Sequence, residues 1–374
     1  MQFFAIMLFT LSSLFSGNDG ASIVFAGDAM QHQAQIDAAK KGAGVYDYSG
    51  CFDAIAPYVD AADYAVVNLE TPLGGAPYTG YPCFSAPDSY LDALTDAGFD
   101  LMLTANNHTL DKRDKGLVRT LDRLDAAGVD HIGTYRNSEE RDSVLPLLRN
   151  INGFNVAFLN YTYGTNGISL RTAAVVDYID RELIKSDIAK ARSHGAEIVT
   201  VCIHWGIEYE LLPSRQQKQL ADFLVDSGAD LVIGGHPHVV QPMEMRHNAD
   251  GKKVLVVYSL GNFISNMKTR DTRGGAMLKV GLTRDADGIA AVDTATYRLV
   301  FTVPPVKGSN FRLVPAEKCD VATWEPQCKA FEQSAENLFG NHNIGVPRDT
   351  TLIPSEKMSP IEIFLHKTFG TLQK

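Results

Sequence analysis

The sequence lacks an apolar run long enough to cross a membrane: Phe3 to Phe15 falls short of the roughly 20 residues a spanning helix needs. It also lacks basic excess. With 34 Lys and Arg against 44 Asp and Glu, the net charge is -10, which argues against a nucleic-acid backbone as partner. Neither a dinucleotide-binding nor a phosphate-loop glycine signature occurs, which disfavours a nucleotide-driven enzyme. Low-complexity tracts and repeats of fixed period are absent. Cysteine is scarce, and the five present (Cys51, Cys83, Cys202, Cys319 and Cys328) do not have zinc-site spacing. Cys202 lies inside an apolar run and is expected to be a buried thiol. Cys319 and Cys328 are close enough to close a short loop in an oxidising compartment. A Cys51–Cys83 pair has no local support.

What is present is a chain of 374 residues, 45% hydrophobic, able to bury a large core. Phe3 to Phe15, followed by small and polar residues, has the pattern of an export signal removed near Ser16 to Ala21, although no Lys or Arg precedes it. No Cys stands near it, which disfavours a lipid anchor. Export to the periplasm or cell surface is therefore expected. The body is expected over residues 22–309. From about Asn310 prolines punctuate an extension to residue 374, ending in a closing helix at Ile361 to Phe369 that packs on the body.

One unit recurs along the body: an amphipathic segment, a glycine, then a short apolar run. It occurs at Leu91–Asp96 with Gly98 and Leu101–Leu103, and at Leu121–Ala126 with Gly128 and His131-Ile132. Further copies are Ile188–Arg192 with Gly195 and Ile198–Ile203, and Leu220–Val225 with Gly228 and Leu231–Ile233. Glycine after a periodic stretch ends a helix, and a bounded apolar run reads as a buried strand. Helix-then-strand units of this kind predict an α/β layered fold.

The predicted strands end on residues that bind metals. Asp28 follows Ser22–Ala26, Glu70 follows Ala65–Val67, and Asn106-Asn107-His108 follow Leu101–Ala105. His204 follows Ile198–Ile203, His236-Pro237-His238 follow Leu231–Ile233, and Asn262 follows Val254–Leu260. In α/β sheets ligands bind beyond the carboxyl ends of the strands. The candidate ligands Asp28, Glu70, Asn107, His204, His236 and His238 are all oxygen or nitrogen donors, a set suited to one or two Mn, Zn or Fe ions. Taken singly, most have ordinary structural explanations as turn formers or core histidines; the His-Pro-His pair is the hardest to explain that way. Pro237 biases His236 towards extended backbone, so the two imidazoles are expected on one side. His108 is the candidate acid, and Glu70 is the carboxylate placed to bridge two ions and hold a reactive water. Asn106, Lys112, Arg113, Glu208 and Asn262 stand beside the donors as candidate substrate contacts.

The series GDAM (Gly27–Met30), VNLETPL (Val67–Leu73), ANNHTLD (Ala105–Asp111), HWGIEYE (His204–Glu210), GGHPHVVQPME (Gly234–Glu244) and YSLGNFISN (Tyr258–Asn266) resembles the poly-γ-glutamate capsule biosynthesis protein family, CapA type, over roughly residues 22–270. That family is similar to the calcineurin-like metallophosphoesterases, which implies an α/β fold: a two-layered β-sandwich flanked by helices. The resemblance implies one ion held by Glu70, Asn107, His204 and His236, and another by Asp28, Glu70 and His238. It implies an acid role for His108. It departs from the phosphoesterase pattern at Met30, where a His is the rule, and at Glu70, where Asp is usual; His32 is out of register. The implied partner is an anionic polymer or its precursor, with a membrane-bound capsule-synthesis protein left open. Two functions compete: an exported metal-dependent hydrolase of phosphoester or amide bonds, favoured by His108 and Glu70, and a non-catalytic module that retains an acidic polymer, favoured by Met30. A serine hydrolase built on Ser259 is weak, because Val257 stands where a nucleophile elbow has glycine.

Overall fold

The computed structural model describes residues 20–306 and 308–351. The expected export signal and closing helix lie outside the described residues, apart from the last two positions of the signal. Two β-sheets form the centre of the molecule. In the first, the parallel strands Gly20–Ala29, Tyr64–Leu69, Leu101–Leu103 and Asp130–Ile132 lie side by side. Gly274–Arg284, Ala290–Val303 and Arg312–Pro315 continue that sheet antiparallel on the other flank, and Asn262–Ile264 pairs with the end of Gly20–Ala29. The second sheet runs Met243–His247, Lys253–Val257, Leu231–Gly235, Ile198–His204, Phe154–Thr162 and Leu147–Ile151.

Side-chain alternation explains the layering, since successive residues of a strand face opposite sides. Ile23 and Phe25 point into the sandwich, where they share a core with Val156, Phe158, Leu231 and Ile233 of the second sheet. Val24 and Ala26 point outward under Tyr90, Leu91 and Leu94 of the helix Asp88–Asp96. On the far side, Ala157, Leu159 and Val232 meet Ile184, Ile188 and Leu224 of the helices Arg181–Ser193 and Arg215–Asp226. Each fully buried Leu, Ile or Phe stabilises the fold by roughly 1.5–3 kcal/mol. This is the two-layered sandwich flanked by helices that the resemblance implied.

The helix-glycine-strand units appear at their expected places. Gly128, for example, ends the helix Arg113–Ala127 in a left-handed conformation (φ 66°) that glycine adopts without penalty. The described part of the segment after residue 310 packs on the sandwich. Arg312–Pro315 pairs with Ala290–Val303, and the helix Glu325–His342 packs Phe331 and Phe339 against Phe301 and Tyr297. Cys319 and Cys328 stand next to each other as free thiols, and the other three cysteines are free as well. The Cys328 thiol donates to the Ala316 carbonyl (3.2 Å). Among the described residues no helix is long and apolar enough to cross a membrane.

The strand ends that carry the polar residues come together along residues 258–262, where the Leu260 N–H donates to the Gly234 carbonyl of the second sheet (3.1 Å) and the Gly261 carbonyl accepts from the Asp28 N–H of the first (3.0 Å). A Cβ on Gly27 would lie 2.0 Å from the Gly261 carbonyl oxygen, and one on Gly234 would lie 2.1 Å from that of Tyr258. Gly27→Ala is therefore expected to cost about 1–3 kcal/mol by overpacking, read as a lower urea midpoint; an unchanged midpoint would show that this approach can relax.

Candidate metal centre

Parallel pairing aligns Asp28 with both Asn68 and Asn262 in the first sheet, and His204 with Gly235 in the second. Buried amides then join the sheets. Asn160 accepts from the Ala105 N–H (2.8 Å) and donates to the Cys202 carbonyl (3.3 Å). Asn68 donates to Asp28 Oδ1 (2.8 Å) while its Nδ2 lies 3.3 Å from His204 Nδ1. The His236 N–H donates to Asp28 Oδ2 (3.1 Å).

Asp28, Glu70, Asn107, His108, His204, His236 and His238 are all buried in this one place. His204 Nε2 lies 2.8 Å from Asn107 Oδ1 and 3.7 Å from Glu70 Oε1. His238 Nε2 lies 3.9 Å from the same Glu70 oxygen, and its Nδ1 is 3.6 Å from Asp28 Oδ2. Among the described residues, two groups of donors have atoms within 4.8 Å of one another: Glu70 with His236 and His238, and Asp28 with Glu70 and His204. Glu70 is common to both. Ring centroids order the imidazoles differently, with His236 4.8 Å from His204 and 5.9 Å from His238, so the three histidines form one continuous cluster.

The electrostatics are those of a cation site. Glu70 is fully buried, neither of its oxygens has a hydrogen-bond partner, and His236 Nδ1 is likewise unpartnered. Burial first, then the neighbouring carboxylates Asp28, Glu208 and Asp111, push the Glu70 carboxyl well above its usual range. Burial also tends to raise Asp28, but the approach of His238 and His204 and the amide of Asn68 hold it down at about 2. Burial, reinforced by the neighbouring imidazole of His238, lowers His236 to about 3; it drives His204 well below its usual value, with His236 adding to the effect. Neutral imidazoles and orphaned carboxylate oxygens, all buried, fit a divalent ion, for which these atoms are the customary ligands.

Several positions take roles the sequence did not suggest. His236 and His238 are not extended: both have positive φ, 99° and 58°, an uncommon state for a residue with a side chain. The His236 N–H bond to Asp28 helps hold this turn. Asn106 and Asn262, expected as substrate contacts, are internal. Asn106 donates to the Leu69 carbonyl (3.0 Å) and accepts from the His108 N–H (3.1 Å). Asn262 Oδ1 faces His238 Nδ1 (3.0 Å), and its Nδ2 donates to the Thr272 carbonyl (2.8 Å). Lys112 donates to Thr79 Oγ1 (2.8 Å), whereas Arg113 and Glu208 are exposed. Ser259 Oγ is engaged by the Val239 carbonyl (2.8 Å) and the Gly261 N–H (3.1 Å), and is no nucleophile. His32 belongs to neither donor group; its Nδ1 accepts from the Asn266 N–H (3.2 Å).

Asp111 was missed. Its Oδ2 lies 2.8 Å from His108 Nδ1 and also accepts from the Phe84 N–H (2.7 Å), so it aims the ring. The three-residue spacing after His108 was the available signal, and it is as common in ordinary turns. Tyr163 was missed as well; its ring stands 4.5 Å from that of His236.

Residues 22–267 match the model of a bacterial family described as capsule synthesis protein PGA_cap. The chain belongs to that family. The capsule biosynthesis protein CapA of Bacillus anthracis is 29% identical over 287 residues that cover 74% of this chain and 67% of that one. The PGA biosynthesis protein CapA of Bacillus subtilis (strain 168) is 28% identical over 285 residues, 72% of this chain and 70% of that one. Among solved structures, the NAD nucleotidase NadN of Haemophilus influenzae aligns with a TM-score of 0.49 at 11% identity, over 88% of this chain and 57% of that one.

The imidazole shifts predict how the metal-free PGA_cap domain responds to pH. Folded-state values depressed below 6.5 mean that this stability is complete above pH 6.5 and is lost as pH falls towards the folded value, about 3 for His236. Between pH 6.5 and 5, metal-free protein should lose roughly 1 kcal/mol per pH unit through His236, with His204 acting in the same direction. His236→Gln should remove one share of that slope in denaturant titrations; an unaltered slope would show that His236 is not held neutral.

Proposed function

We propose that this chain is an exported metal-dependent hydrolase that cleaves a phosphoester or amide bond in an anionic capsular polymer, such as poly-γ-glutamate, or in its precursor. The observation that carries the proposal is Glu70: a fully buried carboxylate with both oxygens unpartnered, inside a ring of neutral imidazoles. Asp28, Glu70, Asn107, His204, His236 and His238 would hold one or two ions. When bound, such an ion polarises a substrate oxygen and makes a water nucleophilic near neutral pH.

The chain's own groups do the rest. Asp111 holds His108 by Nδ1, which leaves Nε2 as the atom that delivers a proton to the leaving group. Asn262 orients His238 and Asn68 orients Asp28, both with neutral amides that add no charge to a negative cluster. The names of the two CapA relatives support a capsule or PGA polymer as the setting. A membrane-bound synthesis partner is part of the same proposal.

One observation favours the alternative of a non-catalytic, polymer-retaining module. Met30, where the phosphoesterase pattern has His, is 1% exposed and supplies a thioether in place of an imidazole. Elemental analysis and assay together separate the two. His236→Ala should lose bound Mn or Zn relative to the native chain. His108→Ala should keep the metal and lose about 10²–10⁴-fold in turnover of phosphoester or γ-glutamyl substrates. A native chain that retains metal and turns over none of them supports the alternative; one that retains no ion after Mn²⁺ or Zn²⁺ addition sinks both.

A further inference from the structure

The mouth of the metal centre carries exposed aromatic rings and a carboxylate. Tyr163 follows the strand Phe154–Thr162, is 48% exposed, and lies 4.5 Å from His236 between ring centroids. Tyr209 is 56% exposed, with its ring 6.2 Å from His238. Its backbone is left-handed (φ 69°), held by its N–H bond to the Pro237 carbonyl (2.8 Å). A bulky residue rarely adopts this conformation, and such strain clusters at functional sites. Tyr81, 73% exposed, leans on Phe84 (6.3 Å), which in turn meets His108 (4.5 Å). None of these three rings is needed for the core.

Glu208 stands among them, exposed and without an ion-pair partner among the described residues. Its charge bears on the phenols of Tyr163 and Tyr209 and on Glu70. The charged groups acting most strongly on Glu70 are Asp28, Glu208 and Asp111, all negative, and nearby Lys112 is bonded to Thr79. Aromatic faces beside a carboxylate that meets the Tyr209 phenol but no cation attract cations. The interior of a polyanion would set carboxylate against carboxylate here, which is unfavourable.

We propose that Tyr163, Tyr209 and Glu208 form a subsite for a primary ammonium group, so that the centre receives the amino end of a peptide-like chain and not its interior. In a γ-linked glutamate chain every residue carries an α-carboxylate, and only the amino-terminal residue carries an α-ammonium. The subsite fits that one feature. It rests on the hydrolase proposal for the position of the reacting bond, while recognition of the ammonium does not require turnover.

The test is calorimetric titration of the full, Mn²⁺-loaded chain with a γ-linked glutamate tetramer, free at its amino end or N-acetylated. Acetylation should weaken binding by about tenfold or more. Glu208→Gln should remove most of that difference while keeping native metal content, and Tyr209→Ala should weaken the free-amine form selectively. Equal affinity for the two tetramers, a difference untouched by Glu208→Gln, or binding of neither overturns the subsite. Amine-selective binding without product keeps the subsite and sinks hydrolysis of the γ-glutamyl amide; equal binding with turnover does the reverse.

Discussion

A carboxylate buried beyond the reach of water is the constraint around which this molecule is arranged. Removing such a group from solvent costs several kcal/mol unless charge or hydrogen bonds compensate it. Asp28 is compensated by an amide, a backbone N–H and a nearby imidazole. Glu70 is not, and the charges that act most strongly on it are those of acids. The sandwich holds it there regardless, because the strand Tyr64–Leu69 is locked between two parallel neighbours and delivers the next residue to a fixed point. Left-handed backbone at His236 and His238 adds roughly 1–3 kcal/mol of strain each. A cation that bound only the folded chain would offset these costs, and the rigid sheets keep the donors in place for it.

The next layer outward is built from amides and one acid, each facing a donor. Asn68 faces Asp28, Asn262 faces His238, Asn106 holds the backbone of His108, and Asp111 holds its ring. Neutral amides suit this task, since another charge would worsen the repulsion around Glu70, while a fixed dipole still sets an imidazole's orientation. The one added carboxylate, Asp111, sits at the residue with the proposed proton-transfer role. Beyond that layer the surface changes character, with exposed tyrosines where cations would be expected for a site that grips a polyanion. Under the proposed function, attraction of an anionic chain would fall to the bound ions, and discrimination to the rim.

The helices, the apolar runs and the gathering of donors at strand ends were legible, because each depends on local patterns: glycine at helix ends, short β-branched runs, and polar residues just beyond them. The membership of the strands in two separate sheets was not legible from periodicity. Runs such as Ile198–Ile203 are buried on both faces and read as continuous hydrophobic stretches, so the alternation that assigns a strand to a sheet is hidden. The same blindness affected the polar residues. Asn106, Asn107 and Asn262 look alike in the sequence, yet Asn107 faces His204 whereas the other two are consumed by backbone and side-chain partners distant along the chain. The left-handed turn at His236 depends on Asp28, a hydrogen-bond partner more than 200 residues away, which no propensity of Pro237 could foretell.

By itself, then, the sequence determined which elements form and which residue types end them, since those follow from helix capping, strand burial and side-chain chemistry over a few residues. Tertiary structure alone decided that the ends of two sheets meet. The passage of residues 258–262 from one sheet to the other and the amide of Asn160 bring together donors that the chain supplies from five separate segments. It also decided which donors remain without partners, because an unsatisfied oxygen is a property of everything packed around it.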